Sequence, residues 1–183
     1  MKDIDHSCQM SCYRYLSVTD LAKNMNFKFG KETATHLPIL MRLVNMTDGP
    51  ILELGTGVFS TPYLHWVCFE KKRKLVSYEE KLSYFEMVKQ YICDYHAIYI
   101  DWNKIDQEHW SIVLVDHYPP NRKEAIKRLA NSADYIILHD SDDEYDESYK
   151  YSEIYPLFKY RYDFDKVLPR TTVLSNFKDL SNL

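Results

Sequence analysis

Ile51-Leu52-Glu53-Leu54-Gly55-Thr56-Gly57-Val58-Phe59-Ser60-Thr61 runs an apolar strand into a glycine turn, with an acid two places before the first glycine. Gly55 and Gly57 lack a Cβ, so the backbone at both is expected to accept positive φ and to let a ligand approach its N–H groups. Ser60 and Thr61 have the side chains that open a following helix. A dinucleotide fingerprint requires a third glycine three places after the second, and Ser60 stands there instead. A carboxylate at Glu53 would repel a pyrophosphate and favours a cationic ligand. The plainer alternative is a strand-to-helix turn whose glycines serve only the backbone.

On both sides of this stretch, strand patterns alternate with helix patterns, which argues for an α/β sheet. An amphipathic run covers about 33–44, and the first strand falls at 50–54 with its helix at 60–69. Further strands are expected at 75–78, 97–100, 111–115 and 135–138, and helices at 82–95 and 122–130. The run Ser111 to Val115 is apolar enough for burial on both faces. Two closing strands, 159–167 and 171–175, are joined by a short turn after Pro169 and are expected to be antiparallel. The reading is a Rossmann-like, seven-stranded, mostly parallel sheet with helices on both faces and an antiparallel C-terminal strand pair.

Ligands of such sheets sit outside the carboxyl ends of the strands, and these positions are rich in acids. Glu79 follows the second strand, placed to accept hydrogen bonds from two ribose hydroxyls, with Glu80 as its substitute if the strand ends one residue later. Asp101 and Trp102 follow the third and suit an adenine through a hydrogen bond and ring contact. Asp116, His117, Tyr118, Pro119 and Pro120 follow the fourth strand, and His139, Asp140, Ser141, Asp142 and Asp143 the fifth. With Glu53 beside the turn, a cationic ligand such as S-adenosylmethionine fits this set.

Composition narrows the class. The 183 residues, 45% hydrophobic and 27% charged, suffice for one domain over 1–183, with a helical N-terminal cap region at 1–47 and a cofactor-binding core at 48–177. A net charge of -4 supplies no general field for a phosphate backbone, although Lys71-Lys72-Arg73-Lys74 is a local basic run. No apolar stretch approaches a membrane span, and the polar N-terminus through Asp20 does not read as a signal peptide, so a soluble, cytoplasmic protein is expected. Cys8, Cys12, Cys68 and Cys93 form no CxxC pair. His6, Cys8 and Cys12 lie close together, but reduced thiols are the simpler account. Sixteen tyrosines stand against four glycines. Many of them fall between Tyr145 and Tyr162, where they could line a pocket, build a dimer surface or fill a sheet edge.

Through Glu53-Leu54-Gly55-Thr56-Gly57, Glu79, Val115-Asp116-His117 and Leu138-His139-Asp140, the chain resembles the class I S-adenosylmethionine-dependent methyltransferase family over about 48–177. It is most similar to the small-molecule enzymes related to catechol O-methyltransferase. The resemblance implies S-adenosylmethionine bound along Glu53, Gly55, Thr56, Gly57 and Glu79, and the reading of the turn and strand ends adds Ser60, Asp101 and Trp102 as cofactor-binding candidates. It also implies a magnesium ion (Mg2+) on Asp116 and Asp140, with Ser141 standing where an amide is expected. Pro119 stands where a lysine would serve the substrate hydroxyl, so catalytic detail does not transfer.

Methyl transfer to a hydroxyl needs the acceptor held in line and a base for its proton. His117 or His139 suits that task, with an aspartate to steady the imidazolium. Equally, His139 reads as a buried donor tying the fifth strand to a neighbouring loop. Asp116, His117, His139 and Asp140 are thus the catalytic candidates, with a small-molecule acceptor. Tyr118-Pro119-Pro120-Asn121 partly matches the base clamp of nucleic-acid methyltransferases, which keeps that reading as an alternative. A non-catalytic protein of this fold that binds a partner through its tyrosines is another. Homodimerisation through an N-terminal helix or the terminal strands follows only from the commonness of symmetric dimers.

Overall fold

The computed structural model describes residues 31–105, 108–118 and 121–183. Seven strands form one sheet in the order β3-β2-β1-β4-β5-β7-β6. They are β1 (Ile51–Leu54), β2 (Leu75–Tyr78), β3 (His96–Tyr99), β4 (Trp110–Val115), β5 (Ala133–Leu138), β6 (Tyr160–Phe164) and β7 (Thr171–Ser175). The first five are mutually parallel, β7 runs antiparallel to β5, and β6 antiparallel to β7. This is the Rossmann-like sheet with an antiparallel closing pair expected from the sequence. Among the described residues the α-helices are α1 (Leu37–Met46), α2 (Ser60–Lys71), α3 (Leu82–Val88), α4 (Arg122–Leu129) and the single turn α5 (Asp146–Tyr149).

Two helices differ from expectation. The amphipathic run at 33–44 becomes helical only from Leu37, after a 3-10 turn at Lys31–Ala34, because Pro38 belongs in a first helical turn where it has no N–H to offer. The helix expected over 82–95 stops at Val88. A 3-10 turn and an extended Ile92 follow, and Cys93 pairs back with His96, turning the chain directly into β3. His6, Cys8, Cys12, Pro119 and Pro120 lie outside the described residues.

Strand alternation sorts the core into two layers. Ile51, Leu75, Ile112, Leu114 and Ile137 face α1 and α2, whereas Leu52, Leu54, Val113, Val115 and Leu138 face α4 and the tyrosine segment. Of the basic run at 71–74, only Arg73 takes part in this packing. Arg73 is buried and donates to the carbonyls of Val44 and Thr47 at the end of α1, where a cation meets the negative end of the helix. Lys74 pairs with Glu108.

Strand order reverses between β1 and β4, which opens a crevice at their carboxyl ends. Gly55 lies at this point with φ +89°. A Cβ there would stand 2.5 Å from the Asp116 carbonyl and the His117 nitrogen, so two backbone segments touch where a side chain would fit. Gly57 does not share the positive φ expected for both glycines. Among the described glycines only Gly55 has it, since Gly57 already leads into α2.

Gly55→Ala should therefore cost about 3 kcal/mol or more from left-handed strain plus the clash. Gly57→Ala, whose Cβ would meet only the Ser60 hydroxyl at 3.3 Å, should stay within about 1 kcal/mol. Urea unfolding of the two variants beside the wild type measures this contrast.

Candidate active site

A cavity of about 510 Å³ opens at the carboxyl ends of the parallel strands. Gly55 and Thr56 border it from β1, Glu79 and Lys81 from β2, Asp116, His117 and Tyr118 from β4, and His139 and Asp140 from β5. Arg122, Tyr145 and Tyr149 complete one wall. The volume lies in the range of small-molecule and cofactor sites.

Glu79 holds the glycine loop. Its Oε2 accepts from the Thr56 N–H (2.9 Å) and hydroxyl (2.8 Å), and its Oε1 accepts from the Lys81 N–H (2.8 Å). A carboxylate has about four acceptor positions, so capacity remains for a ligand hydroxyl.

Glu53 lies elsewhere. The period-two pattern of β1 sends its side chain toward α2, away from the cavity wall. There it is fully buried, accepting from Ser77 Oγ (2.6 Å) and from Thr61 Oγ1 (3.0 Å to each oxygen). Thr61 Oγ1 in turn accepts from the Gly57 N–H (2.9 Å). Glu53 thus supports the loop from beneath, and its charge does not face a ligand. Burial, partly offset by the hydroxyl donors, pushes its pKa up to about 7. His96 Nε2 lies 2.8 Å from Ser77 Oγ, and His65 Nδ1 lies 3.3 Å from His96 Nδ1, so the two rings extend the buried network from Glu53. Burial lowers their pKa to about 4 for His65 and about 3 for His96.

Four further expected positions, Gly57, Ser60, Asp101 and Trp102, do not line the cavity. Ser60 is buried and bonds Glu53. Asp101 accepts from the Asn103 N–H in a 3-10 turn, and Trp102 packs edge-on against Tyr78 beneath Arg128. Tyr84, Lys81 and Tyr118 stand beside Glu79 in their place, with the Lys81 ammonium 4.6 Å from the Tyr118 ring centroid.

At the other end, four titratable groups meet. Asp116 Oδ1 lies 3.0 Å from His139 Nδ1 and 3.1 Å from Arg122 Nη2. His139 Nε2 is bonded to Thr35 Oγ1 at 3.0 Å, and Asp140 Oδ1 lies 3.4 Å from His139 Nδ1. Burial favours a neutral Asp116, but His139, Arg122 and His36 outweigh it and hold this carboxyl well below the usual range. The reverse balance raises His139: burial opposes its charge, and Asp116 and Asp140 prevail. Asp140 is raised chiefly by burial, and its backbone takes φ +52°, a left-handed conformation uncommon outside glycine. His117 is buried, lowered to about 4 by burial and then by Arg122, and keeps an unpartnered Nδ1.

Arg122, the first residue of the helix expected at 122–130 and not among the expected site residues, donates to the carbonyls of His117 and His139, to Tyr151 Oη and to Asp116. Its guanidinium also lies 4.1 Å from the Tyr149 ring centroid. His36 was missed as well: only 2% exposed, it meets the His139 ring edge-on at 4.7 Å, with neither ring nitrogen hydrogen-bonded. Its sequence signal was weak, a lone histidine inside the amphipathic run at 33–44.

Asp116 and Asp140 do reach one cleft, as magnesium binding would require. Ser141 does not join them. Its hydroxyl donates to the Arg170 carbonyl (2.9 Å) and accepts from Thr172 (2.8 Å) in the interior. The oxygen set implied for Mg2+ is therefore incomplete.

No protein-family model and no curated protein matches the sequence. Solved structures do match. A proposed O-methyltransferase from Klebsiella pneumoniae aligns over 97% of this chain and 93% of its own, with a TM-score of 0.62 at 12% identity. An S-adenosylmethionine-dependent O-methyltransferase from Thermotoga maritima aligns over 88% and 72%, with a TM-score of 0.59 at 12% identity. Human methyltransferase-like protein 13, in complex with S-adenosylhomocysteine, aligns over 78% of each chain, with a TM-score of 0.56 at 13% identity. What they share with this chain is the Rossmann-like methyltransferase fold.

The raised pKa of Glu53 makes stability depend on pH in a defined direction. Between about pH 4.5 and 7 the unfolded chain ionises this group while the folded chain keeps its proton, so stability falls as pH rises through that window. The loss contributed is on the order of 3 kcal/mol. Glu53→Gln removes it: thermal unfolding at pH 5 and pH 8 should show a smaller pH-dependent loss in the variant than in the wild type.

Proposed function

We propose that the protein is an S-adenosylmethionine-dependent methyltransferase acting on a hydroxyl of a small molecule. The observation that carries this is the cavity at the strand reversal, bounded on one side by the Glu79-braced glycine loop and on the other by Asp116, His117, His139 and Asp140. The structural neighbours, which include an S-adenosylmethionine-dependent O-methyltransferase, support it.

The residues present suit the cofactor. Glu79 has acceptor capacity left for ribose, Tyr84 and Tyr118 offer ring faces near it, and the acids of the cavity favour a cationic ligand. When bound, S-adenosylmethionine supplies an electrophilic methyl group on its sulfonium. Displacement at that carbon requires the acceptor oxygen in line with it, and Tyr145 and Tyr149 form an aromatic wall on which a phenolic or similar acceptor can rest. Of the two histidines, His139 is tied at both nitrogens, to Thr35 and Asp116. His117 keeps Nδ1 free of any protein partner, so proton removal from the acceptor is assigned to His117. Asp116, fixed by Arg122, orients the groups around it. The core and the helical segment before it act as one domain in this reading.

Calorimetric titration with S-adenosylhomocysteine tests the cofactor assignment. Saturable binding is expected for the wild type, with a loss of about tenfold or more in Glu79→Ala, whose glycine loop is no longer braced. Failure of the folded wild type to bind would sink the assignment and leave the partner-binding alternative.

Once an acceptor is found, His117→Ala should lower kcat by about 100-fold while leaving S-adenosylhomocysteine affinity close to wild type. An unchanged kcat would remove His117 from the reaction.

A further inference from the structure

We propose that His36, Asp116 and His139 form a binding site for a divalent first-row transition ion of the zinc or iron class, with Asp140 as a neighbouring carboxylate. The three residues each offer a ligand atom, and these atoms lie within 4.8 Å of one another. The site differs in chemistry from the magnesium set that the resemblance implied, since two of its ligands are imidazoles supplied by the segment before α1 and by the end of β5.

Two independent observations point to it. The first is His36 itself. It is 2% exposed, and neither ring nitrogen has a hydrogen-bond partner. Buried polar atoms almost always find a partner, so one without any among the protein groups calls for an explanation. The second is the way the other two ligands are held. Asp116 Oδ1 and His139 Nδ1 lie 3.0 Å apart as a hydrogen-bonded pair, slightly inside the roughly 3.4 Å that separates two tetrahedral ligands each about 2.1 Å from one ion, so a small shift admits an ion between them. Thr35 Oγ1 holds His139 at Nε2, so Nδ1, which meets Asp116, is the nitrogen turned toward an ion, and Arg122 steadies Asp116. Outer partners of this kind orient metal ligands generally. Two imidazoles with one or two carboxylates select Zn2+, Fe2+, Co2+ or Mn2+ over Mg2+, which prefers oxygen ligands and retains its water. Asp116 and His139 border the cavity, so an ion there would keep open positions toward it. The site stands on these side chains alone. Only its nearness to an acceptor hydroxyl rests on the methyltransferase reading.

The test is calorimetric titration of chelator-treated full-length protein with Zn2+, Co2+ and Mg2+, with the Co2+ complex followed by visible absorption. One Zn2+ or Co2+ per chain is expected, at least about 100-fold tighter than Mg2+. His36→Gln should weaken Co2+ binding by about tenfold or more while the circular dichroism spectrum stays that of the wild type. A variant with Cys8→Ser and Cys12→Ser should bind as the wild type does. Should His36→Gln fail to fold, proton NMR of wild-type Co2+ protein decides, with two strongly shifted, exchangeable imidazole N–H signals expected. Absence of stoichiometric binding, binding that persists in folded His36→Gln, or binding lost with the two cysteines would each overturn the proposal. S-adenosylhomocysteine binding by the metal-free protein is measured separately, so failure of the metal site and failure of the cofactor reading remain distinct.

Discussion

The buried guanidinium of Arg122 is the interaction on which the candidate site depends. It is 3% exposed, and a charge so placed is tolerated only if its donors are satisfied and its charge is met. Two backbone carbonyls, the Tyr151 hydroxyl and the Asp116 carboxylate take its N–H groups. These partners come from the end of β4, the end of β5 and the tyrosine segment. Satisfying one cation thus locks three separate stretches of chain into one geometry, and that geometry sets Asp116 beside His139. Burial alone would neutralise Asp116. With Arg122 and His139 next to it, it stays a carboxylate.

Gly55 supplies the matching constraint on the opposite side. By letting the β1 loop lie directly on the backbone of Asp116 and His117, it brings the glycine turn and the acidic cluster to a common crevice. The two acids of the glycine region divide their work by direction. Glu79 points into the cavity and braces the loop from above through Thr56. Glu53 points into the α2 layer and braces it from below through Thr61. The tyrosine-rich C-terminal third contributes to both core and site: Tyr151 packs in the core, and Tyr145 and Tyr149 line the cavity.

Much of the fold was legible because it rests on local patterns. Short apolar runs alternating with amphipathic ones located seven strands, and the close-coupled last pair pointed to antiparallel closure. The acids and histidines past the fourth and fifth strands were also legible, since parallel sheets present their sites at that edge. Asp116, His117, His139 and Asp140 all border the cavity. Less was legible where a residue's direction mattered more than its position. Glu53 was read as facing a cation, although β1 alternation turns it inward. Asp101 and Trp102 follow the third strand as expected, yet a local turn and packing on Tyr78 direct them elsewhere.

By itself, the sequence determined the strand and helix order, the glycine turn and the strand-end chemistry, because these follow from hydrophobic period and residue type within a few neighbours. Tertiary structure alone decided that Arg122 would be the buried link among three segments and that His36 would meet Asp116 and His139. Their separations in the chain, 80 residues between His36 and Asp116 and 23 between Asp116 and His139, leave no local signature. Such encounters are fixed only when the sheet closes and buried polar groups must find partners within it.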